Sequence, residues 1–200
     1  MGTALAIQSY RRVDLSGLAY APMIKDTSAR LYVVPIDPPL RIQTTPVALA
    51  TSLEDPEVPF VYLSPDASLA AFFKKTEQAI EDACVANKTA WFAAKFEDDL
   101  LRRGFKSFFG DAGFKVKVPS DVACFDSQQK PIGREDVPAG SVVRAVLELS
   151  RVCFGRHEYG ATWKLIQLQV VETKCLIQAE EVQPPAEADD DADSDANEFL

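Results

Sequence analysis

The stretch LLRRGFKSFFGDAGFKVKV, residues 100–118, sets five cations against one acid. Arg102, Arg103, Lys106, Lys115 and Lys117 are opposed only by Asp111, and Phe105, Phe108, Phe109 and Phe114 are interleaved with them. Basic groups neutralise phosphates, and aromatic rings offer bases a stacking surface that ignores sequence. A second stretch, RVCFGRHEYGATWKLIQL (151–168), crowds Arg151, Phe154, Arg156, His157, Tyr159, Trp163 and Lys164 into one hairpin and its turn. Trp163 shares a strand face with Gln167 and Gln169. A ring there is either a stacking platform or a side chain packed under a neighbouring helix. These two stretches, with Arg144 on the strand between them, make Lys106, Phe108, Phe109, Lys115, Lys117, Arg144, Arg151, Arg156, Tyr159, Trp163 and Lys164 the candidate nucleic-acid contacts.

Signals for catalysis are nearly absent. The chain has no GxxxxGK[ST], no GxSxG and no HExxH. His157 is the one histidine, a loop residue beside Glu158, and Glu97, Asp98 and Asp99 read as an exposed helix face rather than a metal site. Cys84, Cys124, Cys153 and Cys175 lack metal-ligand spacing, so they read as buried thiols of a reducing, intracellular compartment. The expectation is a protein that is not an enzyme and needs no cofactor or metal. The first residues, MGTALAIQSYRR, lack the charge and apolar pattern of a secretory signal, and no apolar run approaches 18 residues, so no membrane contact is expected.

The elements that must position these residues are mostly strands. RLYVV (30–34) and LRIQTT (40–45) read as strands parted by Pro38-Pro39, and VPFVYL (58–63) as a third. Leu69, Phe72, Phe73, Ile80 and Cys84 then recur at helical spacing, with Ser64 as N-cap, Pro65 at the first helical position and Asn87 at the end. A second helical stretch covers about 89–103. FKVKV (114–118) alternates cleanly, with DVACFD (121–126) as its partner or neighbour. Two long strands follow, 142–154 and 162–177. On the first, Ala145, Leu147 and Leu149 face one way and Arg144, Glu148 and Ser150 the other. On the second, Ile166, Leu168 and Val170 form the apolar face. About seven strands and one helical insertion, with no βαβ repetition, make a mainly β chain: a small barrel with a helical insert, or a small sandwich.

The net charge of −9 is unevenly placed. Residues 180–200 hold nine acids and no Lys or Arg, so the 21 acids and 21 bases of residues 1–179 cancel. The division is a folded domain over 1–179 and an acidic C-terminal tail over 180–200, disordered because it has too little apolar content to offset its ordering entropy. A solubilising tail accounts for its acids but not for Phe199 and Leu200 at its tip.

The order of NKTAWFAAKFEDDLLRRGFKSFF, FKVKV, DVPAGSVVRAVLELSRVCFG, YGATWKLIQLQVV and an acidic tail ending in apolar residues resembles the single-stranded-DNA-binding proteins of large nucleo-cytoplasmic DNA viruses. Those are similar in turn to the replication single-stranded-DNA-binding protein of short-tailed T-odd coliphages. The resemblance covers about residues 60–200. It implies an OB-fold barrel, no cofactor, and a tail whose last aromatic contacts replication partners such as DNA polymerase. Phe199 matches that aromatic, and Leu200 after it is a departure. Asp189, Asp190 and Asp191 with Phe199 and Leu200 are then the candidate partner-binding residues. The expected activity is coating of single-stranded DNA during viral replication, recombination or repair, in a virus factory or in the host nucleus or cytoplasm. The tail would compete for the DNA groove, and a homodimer fits the same reading. The rival is a minor structural or scaffold protein of a virion.

Overall fold

A computed structural model of the chain describes residues 6–54, 59–92 and 96–172. Five strands precede the helices: β1 (Gln8–Ser9), β2 (Ile24–Asp26), β3 (Leu31–Gln43), β4 (Val47–Leu49) and β5 (Phe60–Ser64). The helices are α1 (Ala67–Ala86), α2 (Lys88–Trp91) and α3 (Asp98–Arg103). Then come β6 (Phe109–Gly110), β7 (Gly113–Lys117), β8 (Ala123–Phe125), β9 (Pro131–Ile132), β10 (Val142–Phe154), β11 (Tyr159–Ala161) and β12 (Trp163–Glu172).

Five of these strands close into a ring. β10 pairs antiparallel with β12 along one edge, and with β3 and then β4 along the other. β4 pairs with β5 and β5 with β7, both antiparallel, and a short parallel ladder between β7 and β12 completes the circuit. Closure removes the free sheet edges that the chain would otherwise have to protect. The fold is a small OB-fold-like barrel, mainly β, with the helices inserted between β5 and β7.

The alternation on β7 and β10 holds. Phe114, Val116, Ala145, Leu147 and Leu149 are buried, and Lys117 and Arg144 are exposed. Elsewhere the structure departs from the sequence reading in instructive ways. The two strands expected around Pro38-Pro39 are the single strand β3. Leu40 pairs with Leu149 and Pro35 with Arg151, so the four residues between them loop out of the ladder as an extended bulge, with a cis Asp37–Pro38 bond. β8 does not pair with β7, whose edges are taken by β5 on one side and by β6 and β12 on the other. It runs parallel to β12 instead, with β9 beyond it. The N-cap of α1 is Asp66, not Ser64: the Asp66 carboxylate accepts the Leu69 N–H at 2.7 Å, while Ser64 stays extended, paired with Ala48 of β4. Asn87 ends the helix as expected. The second helical stretch is two short helices, α2 and α3, with residues 93–95 outside the described residues, as are Cys175 and the tail over 180–200.

The helical insert packs one apolar stripe onto the barrel. Leu69, Phe72, Phe73, Thr76, Ile80 and Cys84 are its buried residues. Phe73 stacks on Phe114 with centroids 3.6 Å apart and planes 10° from parallel. Trp163 stands edge-on to Phe73 at 5.5 Å and tilted to Phe72 at 6.4 Å, and Phe108 meets it at 6.4 Å. Trp163 is therefore the centre of the core, 0% exposed, and it does not serve as the surface stacking platform expected from its strand face. The physical reason is a β-bulge. Leu147 pairs with Leu165 but Val146 pairs with Gln167, which leaves Ile166 as the extra residue. One extra residue reverses the in–out alternation, so Trp163 and Leu165 point inward on one side of the bulge and Leu168 and Val170 point inward on the other.

Trp163→Ala should destabilise the fold by about 3–5 kcal/mol, as truncation of a large buried ring does. Trp163→Phe should cost much less, because the indole N–H has no acceptor among the described residues and its loss leaves no partner unpaired. Urea midpoints of the two variants check this. Equal losses would show that a phenyl ring cannot replace the indole in this packing.

Candidate nucleic-acid interface

If Trp163 points inward, its neighbour Lys164 points outward, and the strand pairings extend a row from it across the barrel. Arg41 of β3 stands opposite Glu148 of β10, Glu148 opposite Lys164 of β12, Lys164 opposite Lys117 of β7, and Lys117 opposite Phe60 of β5. Two residue pairs further along, on the same face, Lys115 stands opposite Tyr62. The Lys115 ammonium lies over the Phe60 ring, 4.0 Å from its centroid, an attraction between a cation and the negative face of the ring. Strand spacing near 4.8 Å makes such a row a continuous stripe rather than scattered charges.

The stripe has one carboxylate, and it is occupied. Arg41 Nε donates to Glu148 Oε2 at 2.7 Å, with both side chains partly buried. Lys115, Lys117, Lys164 and Arg144 have no carboxylate partner among the described residues. An anion reaching this face therefore meets several uncompensated cations within a few strand widths, although the folded body is neutral as a whole.

At the end of the stripe lies a cleft of about 290 Å³, lined by Phe60, Lys106, Lys115, Cys153, Glu158 and Tyr159 among others. Lys106 Nζ reaches Glu158 Oε1 at 2.9 Å, and Arg151 lies 3.7 Å from Asp26 Oδ2. Both pairs are solvent-facing and add little to stability, so both cations are readily exchanged to another anion. Burial pushes the Cys153 thiol up, with the Arg151 guanidinium acting against it. Cys84, Cys124 and Cys153 are free thiols.

The structure puts Lys117 and Lys164 in one row, sets Lys115 two residues along β7 where it lines one cleft with Lys106, leaves Arg144 exposed on the outer face of β10, and holds Arg151 near Asp26. It separates Arg156, which lines a different, apolar hollow of about 760 Å³ with His157, Trp91, Phe92 and Leu100. Among the basic residues of the first stretch, Arg102 is diverted to structure: it binds Asp82 at 2.8 Å and ties α3 to α1.

Of the expected rings, Phe108 and Tyr159 are corrected along with Trp163. Phe108 and Tyr159 are buried and cannot stack on a base as they stand. Phe108 sits edge-on against Phe114 and Trp163, with its backbone N–H donating to Glu77 Oε1. Tyr159 stacks on Phe154 at 5.2 Å, and burial pushes its phenol far up. Phe109 is half-buried against Phe73 and Phe114. Beside the lysine row the outward rings are Phe60 and Tyr62, with Phe125 on β8, all half-buried and with no ring partner among the described residues; Tyr32, half exposed, lines the apolar hollow instead. FVYL carried the signal for two of them: if Val61 and Leu63 point inward, Phe60 and Tyr62 share the opposite face. Arg41 was missed because its row is set by a pairing across more than a hundred residues.

No curated protein matches the chain. Among solved structures, the single-stranded DNA-binding protein from bacteriophage Enc34 is similar at 13% identity, covering 83% of this chain and 96% of that one with a TM-score of 0.45. The same phage protein in complex with single-stranded DNA matches at 12% identity, 79% and 97% coverage, and a TM-score of 0.45. The single-stranded DNA-binding protein gp2.5 encoded by bacteriophage T7 matches at 15% identity, 72% and 97% coverage, and a TM-score of 0.39. A family match runs over residues 61–182, from β5 through β12 and more than half of the sequence, and the chain belongs to that family, which is described as a family of unknown function (DUF5871).

Proposed function

We propose that this protein binds single-stranded DNA along the outer face of its barrel and coats it during viral DNA replication, recombination or repair. The observation that carries the reading is the cross-strand stripe: Lys164, Lys117 and Lys115, without carboxylate partners among the described residues, running onto the outward rings Phe60 and Tyr62. Cations spaced by strands suit the phosphates of an extended backbone, and half-buried rings beside them suit unstacked bases. A duplex offers no free base faces, so the rings favour a single strand. The Lys115 ammonium would leave the Phe60 ring for a phosphate and free that ring for a base.

The acidic segment extends the proposal. Nine carboxylates over 180–200 imitate a nucleic-acid backbone, and would occupy the stripe until DNA displaces them. Phe199 and Leu200, with Asp189, Asp190 and Asp191, would then engage a replication protein such as a DNA polymerase.

Titration of labelled oligo-dT at a series of salt concentrations tests the stripe. Replacing Lys115 and Lys117 by Ala should flatten the dependence of log affinity on log salt by roughly 0.7 per lysine. An unchanged slope would show that the lysines only face solvent, and salt-insensitive binding by the parent protein would favour a structural role in a virion.

Phe60→Ala should cost on the order of 1–3 kcal/mol of oligo-dT binding and leave the thermal transition in place, because the ring is outward and only half-buried. Loss of the transition without a specific loss of binding would return Phe60 to the core.

Removing residues 180–200 should tighten oligo-dT binding, most at low salt where screening is weakest. Changing only Phe199 and Leu200 to Ala should leave that affinity unchanged while weakening polymerase capture. Equal low-salt affinities of the truncated and full chains would sink the competition.

A further inference from the structure

The outer face has a second chemistry at the end away from Lys106. Gln43, Val146 and Gln167 stand opposite one another across β3, β10 and β12. In the next row Arg144 stands opposite Gln169, and Gln169 opposite Phe125 of β8. Gln129 closes the rim from the turn after β8, held there by a left-handed backbone with φ 64°. Together they enclose a hollow of about 320 Å³. Its apolar surfaces are the half-buried Val146 and Phe125.

Three features set this hollow apart from the lysine stripe. First, its polar groups are amides, which carry no charge and add little to phosphate neutralisation. Second, those amides are unspent: Gln43, Gln129 and Gln167 make no side-chain hydrogen bond among the described residues, and Gln169 Nε2 donates one long bond of 3.4 Å to the Ser127 carbonyl oxygen. Third, the one cation, Arg144, is exposed and without a carboxylate partner among the described residues. A planar apolar wall ringed by groups that both donate and accept suits the edge of a base, not a phosphate.

The donor pattern narrows the base. A glutamine amide matches the N6 donor and N7 acceptor of adenine, and a guanidinium matches the O6 and N7 acceptors of guanine. Both are purine edges. Gln43 is two residues from Arg41 and Gln167 three from Lys164, so a strand following the stripe brings a neighbouring nucleotide to the hollow at strand rises near 3.3 Å per residue.

We infer that this hollow receives one purine base of the bound strand, stacked on Phe125 and read at its edge by Gln43, Gln167 and Arg144. The inference rests on the single-strand binding proposed above and adds to it a sequence preference. The full-length protein is titrated with a short labelled oligo-dT and with the same strand carrying one central dA or dG. The purine-bearing strands should bind about tenfold tighter. The double variant Gln43→Ala with Gln167→Ala, at two exposed positions, should erase the dA ratio, keep the dG ratio that Arg144 reads, and leave oligo-dT affinity within about twofold. Lys117→Ala should weaken all three strands alike and keep the ratio. Equal affinities for the three strands with the parent protein, or a dA ratio that survives in the glutamine variant, would overturn the purine site while leaving single-strand binding intact. No binding of any strand would instead overturn the single-strand reading itself.

Discussion

The parallel ladder between β7 and β12 is only two residue pairs long, and everything else leans on it. Trp163 lies opposite Val116, and Lys164 opposite Lys117. The first pair points inward and seats the indole among Phe73, Phe108 and Phe114. The second points outward and joins the two lysines that bridge the cationic row. Closing the barrel, filling its core and aligning its charges are one event. A slip of one residue here would expose the tryptophan and bury two ammonium groups, each costly without a partner.

The helical insert explains why a barrel this small holds a large indole. α1 is anchored at its start by the Asp66 cap, and at its far end Arg102 of α3 reaches Glu81 and Asp82. Phe72 and Phe73 then cover what the strands cannot. The same covering removes Phe108 from solvent and leaves Phe109 half-buried, so these rings of the 100–118 stretch pack behind the lysine-bearing face rather than on it. The surface is left to side chains of alternate strand positions, where Phe60 and Lys115 already hold each other.

Charge is placed with the same economy. Glu148 is held by Arg41, Glu158 by Lys106 and Asp26 by Arg151, so the acids nearest the face are each matched. On this face, Lys115 and Lys117 of β7, Arg144 of β10 and Lys164 of β12 are left without a carboxylate partner among the described residues. A neutral body thus carries a locally positive stripe, and the excess of acid in the chain lies in residues 180–200.

The mainly β class, the helical insertion and the inward faces of β7 and β10 were legible in the sequence because side-chain alternation and helical spacing are local. Lys115 and Lys117 on one face followed from FKVKV alone. The partners of those strands did not, since pairing is decided by which edges remain open: β8 went to β12 because β7 had none. The role of Trp163 was also out of reach. Local alternation assigns it to the side of Gln167 and Gln169, and only the bulge at Ile166, which exists in the register with β10, turns it inward. Residue types determined that this chain would present cations and rings. Which cations line up, and which rings stay outside, was decided by the closure of the barrel, because a row across five strands exists only once residues as distant as Arg41 and Lys164 are hydrogen-bonded into one sheet.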